Sequence, residues 1–191
     1  MYHHIEGKLV ECFPGMVVIE AGGVGYELAV PLPTFEAIRG RPSAKLYTRL
    51  VVRPESQRLF GFYSPDERKL FDLLTGVKGV GPSGALALLS LGSVGELCGA
   101  IAAGDVQKLK RAKRVGTRTA ERIIVDLKEI LREGHWAARD QGVSACDDSL
   151  QALVSLGYSE REASAGIAEA RKSLGPDAPV EEIVKHVLRA S

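Results

Sequence analysis

Cysteine is scarce in this chain, and the three present, Cys12, Cys98 and Cys146, lie far apart. Their spacing matches no metal-ligand or redox pattern, which excludes a cysteine-built metal or dithiol centre. An odd, unclustered set fits a reducing compartment. Long apolar runs are missing as well: none approaches the roughly 20 residues that a membrane span needs. The N-terminus, with Glu6 and Glu11 so early, lacks the character of a secretory signal, so a cytoplasmic location is expected. A dominant charge is absent too, the formal net value being only +1. No P-loop signature occurs, and no spacing ties serine, histidine and acidic residues into a nucleophilic set. No catalytic residue, metal or cofactor is therefore expected. His3 and His4 have no partner at metal-ligand spacing, and a strand through them would send the pair to opposite faces.

What is present is an ordinary globular composition with an uneven charge distribution. An apolar fraction of 45% over 191 residues is enough for a real core, in one domain or in two or three small ones. Lys plus Arg against Asp plus Glu runs 7 to 6 in residues 1–63, 12 to 9 in 64–134 and 5 to 7 in 148–191. Within the middle stretch, Lys108–Arg122 holds seven cations against a single acid, Glu121. Phosphate attraction responds to such local fields rather than to overall pI.

The chain divides by pattern. In residues 1–63, Val17–Ile19, Tyr26–Val30, Lys45–Val52 and Arg58–Phe62 are rich in β-branched and aromatic residues, separated by breaks such as Gly22-Gly23 and Arg53-Pro54-Glu55-Ser56. With a strand before Pro14 and a short helix near Thr34–Ile38, the count suits a small closed barrel of the OB type. Ser64-Pro65-Asp66-Glu67 then carries a helix cap, a first-turn proline and a capping box. From there to residue 134 the pattern is helical. Ser93 and Asp105 are further caps, and Thr117 is expected to cap a long helix running to about Arg132 and stopping at Gly134. Residues 135–147 lose apolar periodicity and read as a linker, with Trp136 docking on the preceding helix. Residues 148–191 resume as three short helices: one ended by Gly157, one opened by Ser159–Glu162, and one over Val180–Leu188. The fold class is thus α+β and multidomain.

One internal repeat stands out. Val77-Lys78-Gly79-Val80-Gly81-Pro82-Ser83-Gly84-Ala85 aligns with Ala112-Lys113-Arg114-Val115-Gly116-Thr117-Arg118-Thr119-Ala120, and Leu88-Leu89 with Ile123-Ile124. Each copy reads as helix, tight turn with an apolar centre, helix. Glycines permit positive φ and close approach of another molecule to the main chain. The first N–H groups of the exit helix lack internal partners and carry the positive end of its dipole, so a phosphate fits there. Small Ala85 and Ala120 let the two helices of each unit pack closely. Lys78, Lys110, Arg111, Lys113, Arg114 and Arg118 supply further phosphate contacts with counterion release. The expected DNA-binding set is Lys78, Gly79, Val80, Gly81, Ser83, Lys110, Lys113, Arg114, Val115, Gly116, Thr117 and Arg118.

Blander readings stand beside this one. Gly79–Gly84 also fits the dinucleotide pattern G-x-G-x-x-G, but that needs a preceding strand, and Arg68–Leu74 is amphipathic and helical. A single glycine turn between helices is about as often structural as functional. The cation run could be a solvated helix face. Two copies of the turn, with cations gathered around the second, favour binding.

In order and motif the chain closely resembles the RuvA family, bacterial proteins that bind four-way (Holliday) DNA junctions. The residues that carry the resemblance are the Gly79-Val80-Gly81-Pro82 turn, Thr119-Ala120-Glu121-Arg122, Gly22–Glu27, Val51-Val52-Arg53, Phe60-Gly61-Phe62 and Leu156-Gly157-Tyr158. It covers the whole chain. It implies an OB-type barrel, a tandem helix-hairpin-helix domain and a three-helix, UBA-like tail. It also implies a homotetramer, able to pair into an octamer, holding the open junction on a flat basic face. The implied partners are the hexameric ATPase RuvB and the RuvC resolvase, in DNA recombination and in repair of DNA damage within the SOS response. RuvB would be contacted by the tail, through Leu153, Leu156 and Tyr158, residues that could equally be bundle core.

Two departures from the family pattern are visible. Arg114 stands where the second hairpin carries its first glycine. Positive φ is costly for arginine, so the turn there is expected to shift. The family also places adjacent acids, an "acidic pin", on the last barrel hairpin, where negative charge helps to part DNA strands. Pro54-Glu55-Ser56 retains one, Glu55. Two other function classes remain open: a repair enzyme that uses the hairpins only as a grip, and a protein-interaction scaffold that works through its tail.

Overall fold

The computed structural model describes residues 2–133, 145–175 and 178–190. They fall into two compact units, Met1–Asp140 and Gln141–Ser191. The first opens with five strands, β1 (His4–Phe13), β2 (Met16–Ala21), β3 (Val24–Ala29), β4 (Ser43–Arg53) and β5 (Ser56–Phe62). They close into a barrel in the order β1-β2-β3-β5-β4. Every contact between neighbours is antiparallel except β3 with β5, which pair in parallel at Ala29 and Phe60. Alternation sets the inside: Val17 and Ile19 of β2, Leu28 of β3, and Ala44 and Leu46 of β4 are buried, and their neighbours in sequence point outward. Helix α1 (Leu32–Ile38) adds Phe35 and Ile38 to this core. The five strands and one helix are those expected, with α1 starting two residues before Thr34.

Two residues after the end of β5 the pattern turns helical because Ser64 accepts from Glu67 N–H and Pro65 opens α2 (Pro65–Gly76). Then follow α3 (Pro82–Leu89), α4 (Val94–Ala103), the single turn α5 (Val106–Leu109) and α6 (Thr117–Glu133). Ser93 and Glu96 form a complete capping box on α4, and Asp105 caps α5. The sequence boundary at 63/64 is not a gap in packing. Phe60 and Phe62, at the end of β5, pack not with the barrel core but with Leu70, Phe71, Leu74, Leu88, Leu97, Ile101 and Ile123 in one cluster. The Phe71 ring lies 5.0 Å from that of Phe60 and 4.9 Å from that of Phe62. Such ring pairs add about 0.5–1.5 kcal/mol each beyond area burial. Polar braces surround the joint: Arg49 of β4 forms a two-pronged ion pair with Asp72 of α2, and Arg68 donates to the His3 carbonyl at 2.9 Å.

The second unit contains α7 (Ala145–Ser155), α8 (Glu160–Leu174) and α9 (Val180–Ala190). Leu153, Ala163, Ile167, Ala170, Ile183 and Val187 form its core. Gly157, at φ +98°, ends the first helix, and a full Ser159–Glu162 box opens the second. Among the described residues no single helix is long and apolar enough to cross a membrane.

Several local expectations need correction. The glutamate at Ser64+3 does more than the expected box asks: besides the Ser64 backbone, the Glu67 carboxylate accepts from Tyr63 N–H at 2.8 Å and from the Thr34 hydroxyl. Thr117 is not the cap of α6 but its first residue, because the carbonyl accepting from Ala120 N–H is that of Gly116. The strand begins at His4, not before it, so His3 is not held on the opposite face. The two Nδ1 atoms meet at 3.0 Å. Helix α7 starts at Ala145, inside the stretch read as linker. The rest of that stretch, with Trp136 and the stop at Gly134, lies outside the described residues.

Candidate nucleic-acid interface

The two aligned segments fold into matching turns. Val77 and Ala112 are buried at the start of each, Val80 and Val115 at its centre, and Ala85 and Ala120 where the exit helix crosses its partner. In each copy the central valine donates its N–H back three residues, Val80 to Val77 and Val115 to Ala112, both within 3.1 Å. These valines therefore hold the turn together from inside; they offer no free donor and no exposed side chain. The outward groups are different ones. Gly81 and Gly116 are exposed, and their carbonyls start α3 and α6 by accepting from Ala85 and Ala120 at 2.9 Å. Among the described residues, the N–H groups of Gly81, Ser83, Gly116, Thr117 and Arg118 donate to no main-chain acceptor. That is the arrangement a helix N-terminus presents to an anion.

Positive φ falls one step earlier than the exposed glycines. Gly79 has φ +95°, and Arg114, at the aligned position, has φ +72°. The expected shift of the second turn does not occur: arginine adopts the left-handed conformation and the repeat keeps its shape. Buried Val115 and Ala112 on either side fix the turn from within, and the exposed Arg114 side chain is free to follow. At Gly81, with φ −88° and ψ 170°, a Cβ would meet nothing within 4 Å, and the same open space surrounds Gly116. Neither glycine is demanded by the chain's own packing. Each instead leaves the main chain bare toward solvent.

The two turns face a common space. A surface concavity of about 240 Å³ is lined by Gly79, Gly81 and Ser83 from the first copy and by Arg114 and Val115 from the second. Thr119 of α6 completes it, its Oγ1 lying 4.0 Å from where a Gly79 Cβ would stand. Lys78, Lys110, Lys113, Gly116, Thr117 and Arg118 are exposed but do not line it. In the Lys108–Arg122 run, Lys108 Nζ donates to the Glu96 carbonyl at 3.4 Å and Arg122 pairs with Asp126 at 3.5 Å. Among the described residues, Lys110, Arg111, Lys113, Arg114 and Arg118 have no acidic partner within 4.0 Å.

Four lining residues, Arg53, Pro82, Gly84 and Thr119, fall outside the expected DNA-binding set. Arg53, at the end of β4, projects into the same concavity from the barrel. Its neighbour Glu55 is exposed in the two-residue turn that closes the β4–β5 hairpin, where Arg53 pairs with Ser56. In the second unit, the tail residues separate. Leu153 is fully buried and belongs to the bundle's core, so it is not available for contact; Tyr158 is half-buried against that core; Leu156 is 57% exposed. Burial also pushes the Cys98 thiol up to about 12, far from a reactive thiolate.

A tandem of helix-hairpin-helix turns sharing one basic concavity, built onto a five-stranded barrel and followed in sequence by a separate three-helix unit, defines a multidomain helix-hairpin-helix protein. Family models agree along the chain: the RuvA N-terminal domain matches residues 1–61, a SAM-like helix-hairpin-helix tandem residues 71–129, and the RuvA C-terminal domain residues 144–191. Curated relatives span the full length. A protein of Roseiflexus sp. (strain RS-1) is 40% identical over 99% of this chain and 98% of its own. One from Methylibium petroleiphilum is 39% identical over 100% and 98%, and one from Christiangramia forsetii 36% identical over 99% of each. All three are named Holliday junction branch migration complex subunit RuvA. The chain belongs to the RuvA family.

Proposed function

We propose that this chain binds four-way (Holliday) DNA junctions by their sugar-phosphate backbone and brings the RuvB ATPase to them for branch migration, making or breaking no bond itself. The observation that carries the reading is the pair of matched turns that both leave main-chain N–H groups free, with Gly81 and Ser83 of one and Arg114 of the other lining a common concavity. Amides at Gly81 and Ser83 in one copy, and at Gly116, Thr117 and Arg118 in the other, take phosphate oxygens at the positive ends of α3 and α6. Lys78, Lys110, Lys113, Arg114 and Arg118 add charge and release counterions. Val80 and Val115 shape the turns. Contacts of this kind position a duplex without reading its sequence.

Junction preference then comes from assembly. In a homotetramer each subunit grips one arm, and the exposed Glu55 carboxylates gather at the centre and repel strands there. Residues 1–63 and 64–134 act as barrel and DNA-binding parts. The C-terminal bundle docks the motor, with exposed Leu156 rather than buried Leu153 as its contact. Competition gel shifts test this at two salt concentrations. A four-way junction should displace the labelled complex at lower concentration than a linear duplex of equal length and sequence, and raised salt should weaken both. Equal competition removes the junction claim; absence of binding removes the DNA reading.

A further inference from the structure

Strand β4 meets the hairpin domain with one face, and alternate residues along it have successive roles. Arg49 is held by Asp72 of α2. Val51, two residues on, packs against the core shared with the hairpins. Arg53, two further, lines the concavity with Gly79, Gly81 and Arg114. A period of two sends all three to the same side, whereas the intervening Val52 is 62% exposed. Arg49 spends its charge inside the protein. Arg53 has no acidic partner within 4.0 Å among the described residues.

From this placement we infer that Arg53 is a third arm of the phosphate grip, contributed by the barrel and closing on the same backbone phosphate that the first hairpin's amides and Arg114 receive. The inference rests on the DNA-binding reading above and adds a residue to it. Arg53 and Arg114 line the same small space and repel, and among the described residues neither has an acidic partner within 4.0 Å; an anion seated between them offsets the repulsion. A planar guanidinium takes two phosphate oxygens at once, which an ammonium cannot. The position also has polarity. Arg53 stands at the base of the β4–β5 hairpin and Glu55 at its tip, so backbone is drawn to the base and turned away from the tip. A barrel that holds phosphate in this way fixes the hairpin's direction relative to the bound strand.

The test is binding of a four-way junction and of a linear duplex by full-length wild type, Arg53→Gln, Arg53→Lys and Lys8→Gln, across a salt series. Lys8 is exposed on β1 opposite Ser43, at the far end of β4 from Arg53, and its loss removes the same charge from the same barrel. The expected result is binding about tenfold weaker for Arg53→Gln at low salt, with the slope of log affinity on log salt shallower by about 0.9 per bound subunit. Arg53→Lys should recover part of the affinity and the full slope, and Lys8→Gln should match wild type. Melting temperature, unchanged for an exposed residue, shows that the fold is intact. Affinity and slope equal to wild type in Arg53→Gln, or the same loss in Lys8→Gln, overturns the inference and leaves the hairpin reading standing. Failure of wild type to bind either DNA overturns both.

Discussion

Replacing Arg114 with glycine should make the protein more stable and a poorer binder at once. The left-handed conformation at φ +72° costs a residue with a Cβ about 1–2 kcal/mol. Glycine removes that strain but brings back roughly 0.5–1 kcal/mol of unfolded-chain entropy. The Arg114 side chain is exposed and, among the described residues, makes no ion pair within 4.0 Å, so no such contact is lost with it. The difference is a gain of about 0.5 kcal/mol, or roughly 1–2 °C in Tm for a unit of this size. Urea and thermal melts of wild type and Arg114→Gly measure it, with Gly79→Ala as the converse case: there φ is +95°, and the substitution should cost about 1 kcal/mol or more. Binding should move the opposite way, with a shallower salt dependence after loss of one phosphate contact per subunit. A clear loss of stability in Arg114→Gly would refute the reasoning, because the side chain would then be supporting the turn.

Three further outcomes follow from the same structure. Gly81→Ala should fold as wild type, since a Cβ there meets nothing within 4 Å, yet bind DNA about tenfold more weakly because it stands where a phosphate approaches; unchanged affinity in gel shifts would show that the bare main chain is not used. Burial holds the Glu67 carboxyl above the usual carboxylate range, against the opposing pull of donors from Thr34 and Tyr63. The native state thus binds this proton more tightly than the unfolded chain, so its contribution to stability is lost as pH rises from about 4.5 through the higher native value. Glu67→Gln, neutral throughout, should match wild type near the bottom of that window and gain on it above, as urea midpoints at several pH values would record. In the tail, Leu156→Asp should keep the bundle folded by circular dichroism and weaken capture of RuvB. Leu153→Asp, which buries a charge, should unfold the bundle at a cost of several kcal/mol.

Much of the fold was legible because its signals are local. The strands alternate between branched and polar residues, and Ser93, Asp105 and Ser159 announce helices with side chains that cap within three residues. The repeat was legible because burial repeats with it, from Val77 and Ala112 through Ala85 and Ala120. What stayed hidden is relational. Nothing near Glu67 says that its carboxylate will also take Thr34, a partner 33 positions away. Thr117 has the chemistry of a cap but stands one place late, because the turn is timed by its buried valine and not by the hydroxyl. Arg114 looked like an interruption, since propensity alone cannot show how firmly flanking core residues impose a conformation. Arg53 carried a signal, its two-residue offset from an apolar residue on the same strand face, but the opposing wall was needed to give that offset meaning.

Phe60 and Phe62 lie at the end of a barrel strand yet are packed by a helix from the next segment. Cutting the chain between Tyr63 and Ser64 would therefore not release two working modules; it would leave one with a greasy stump and the other with a socket. A foreign barrel grafted onto these hairpins would have to bring both rings in the same register. The two parts are bound to evolve as a single piece, however separable they look when written out as letters.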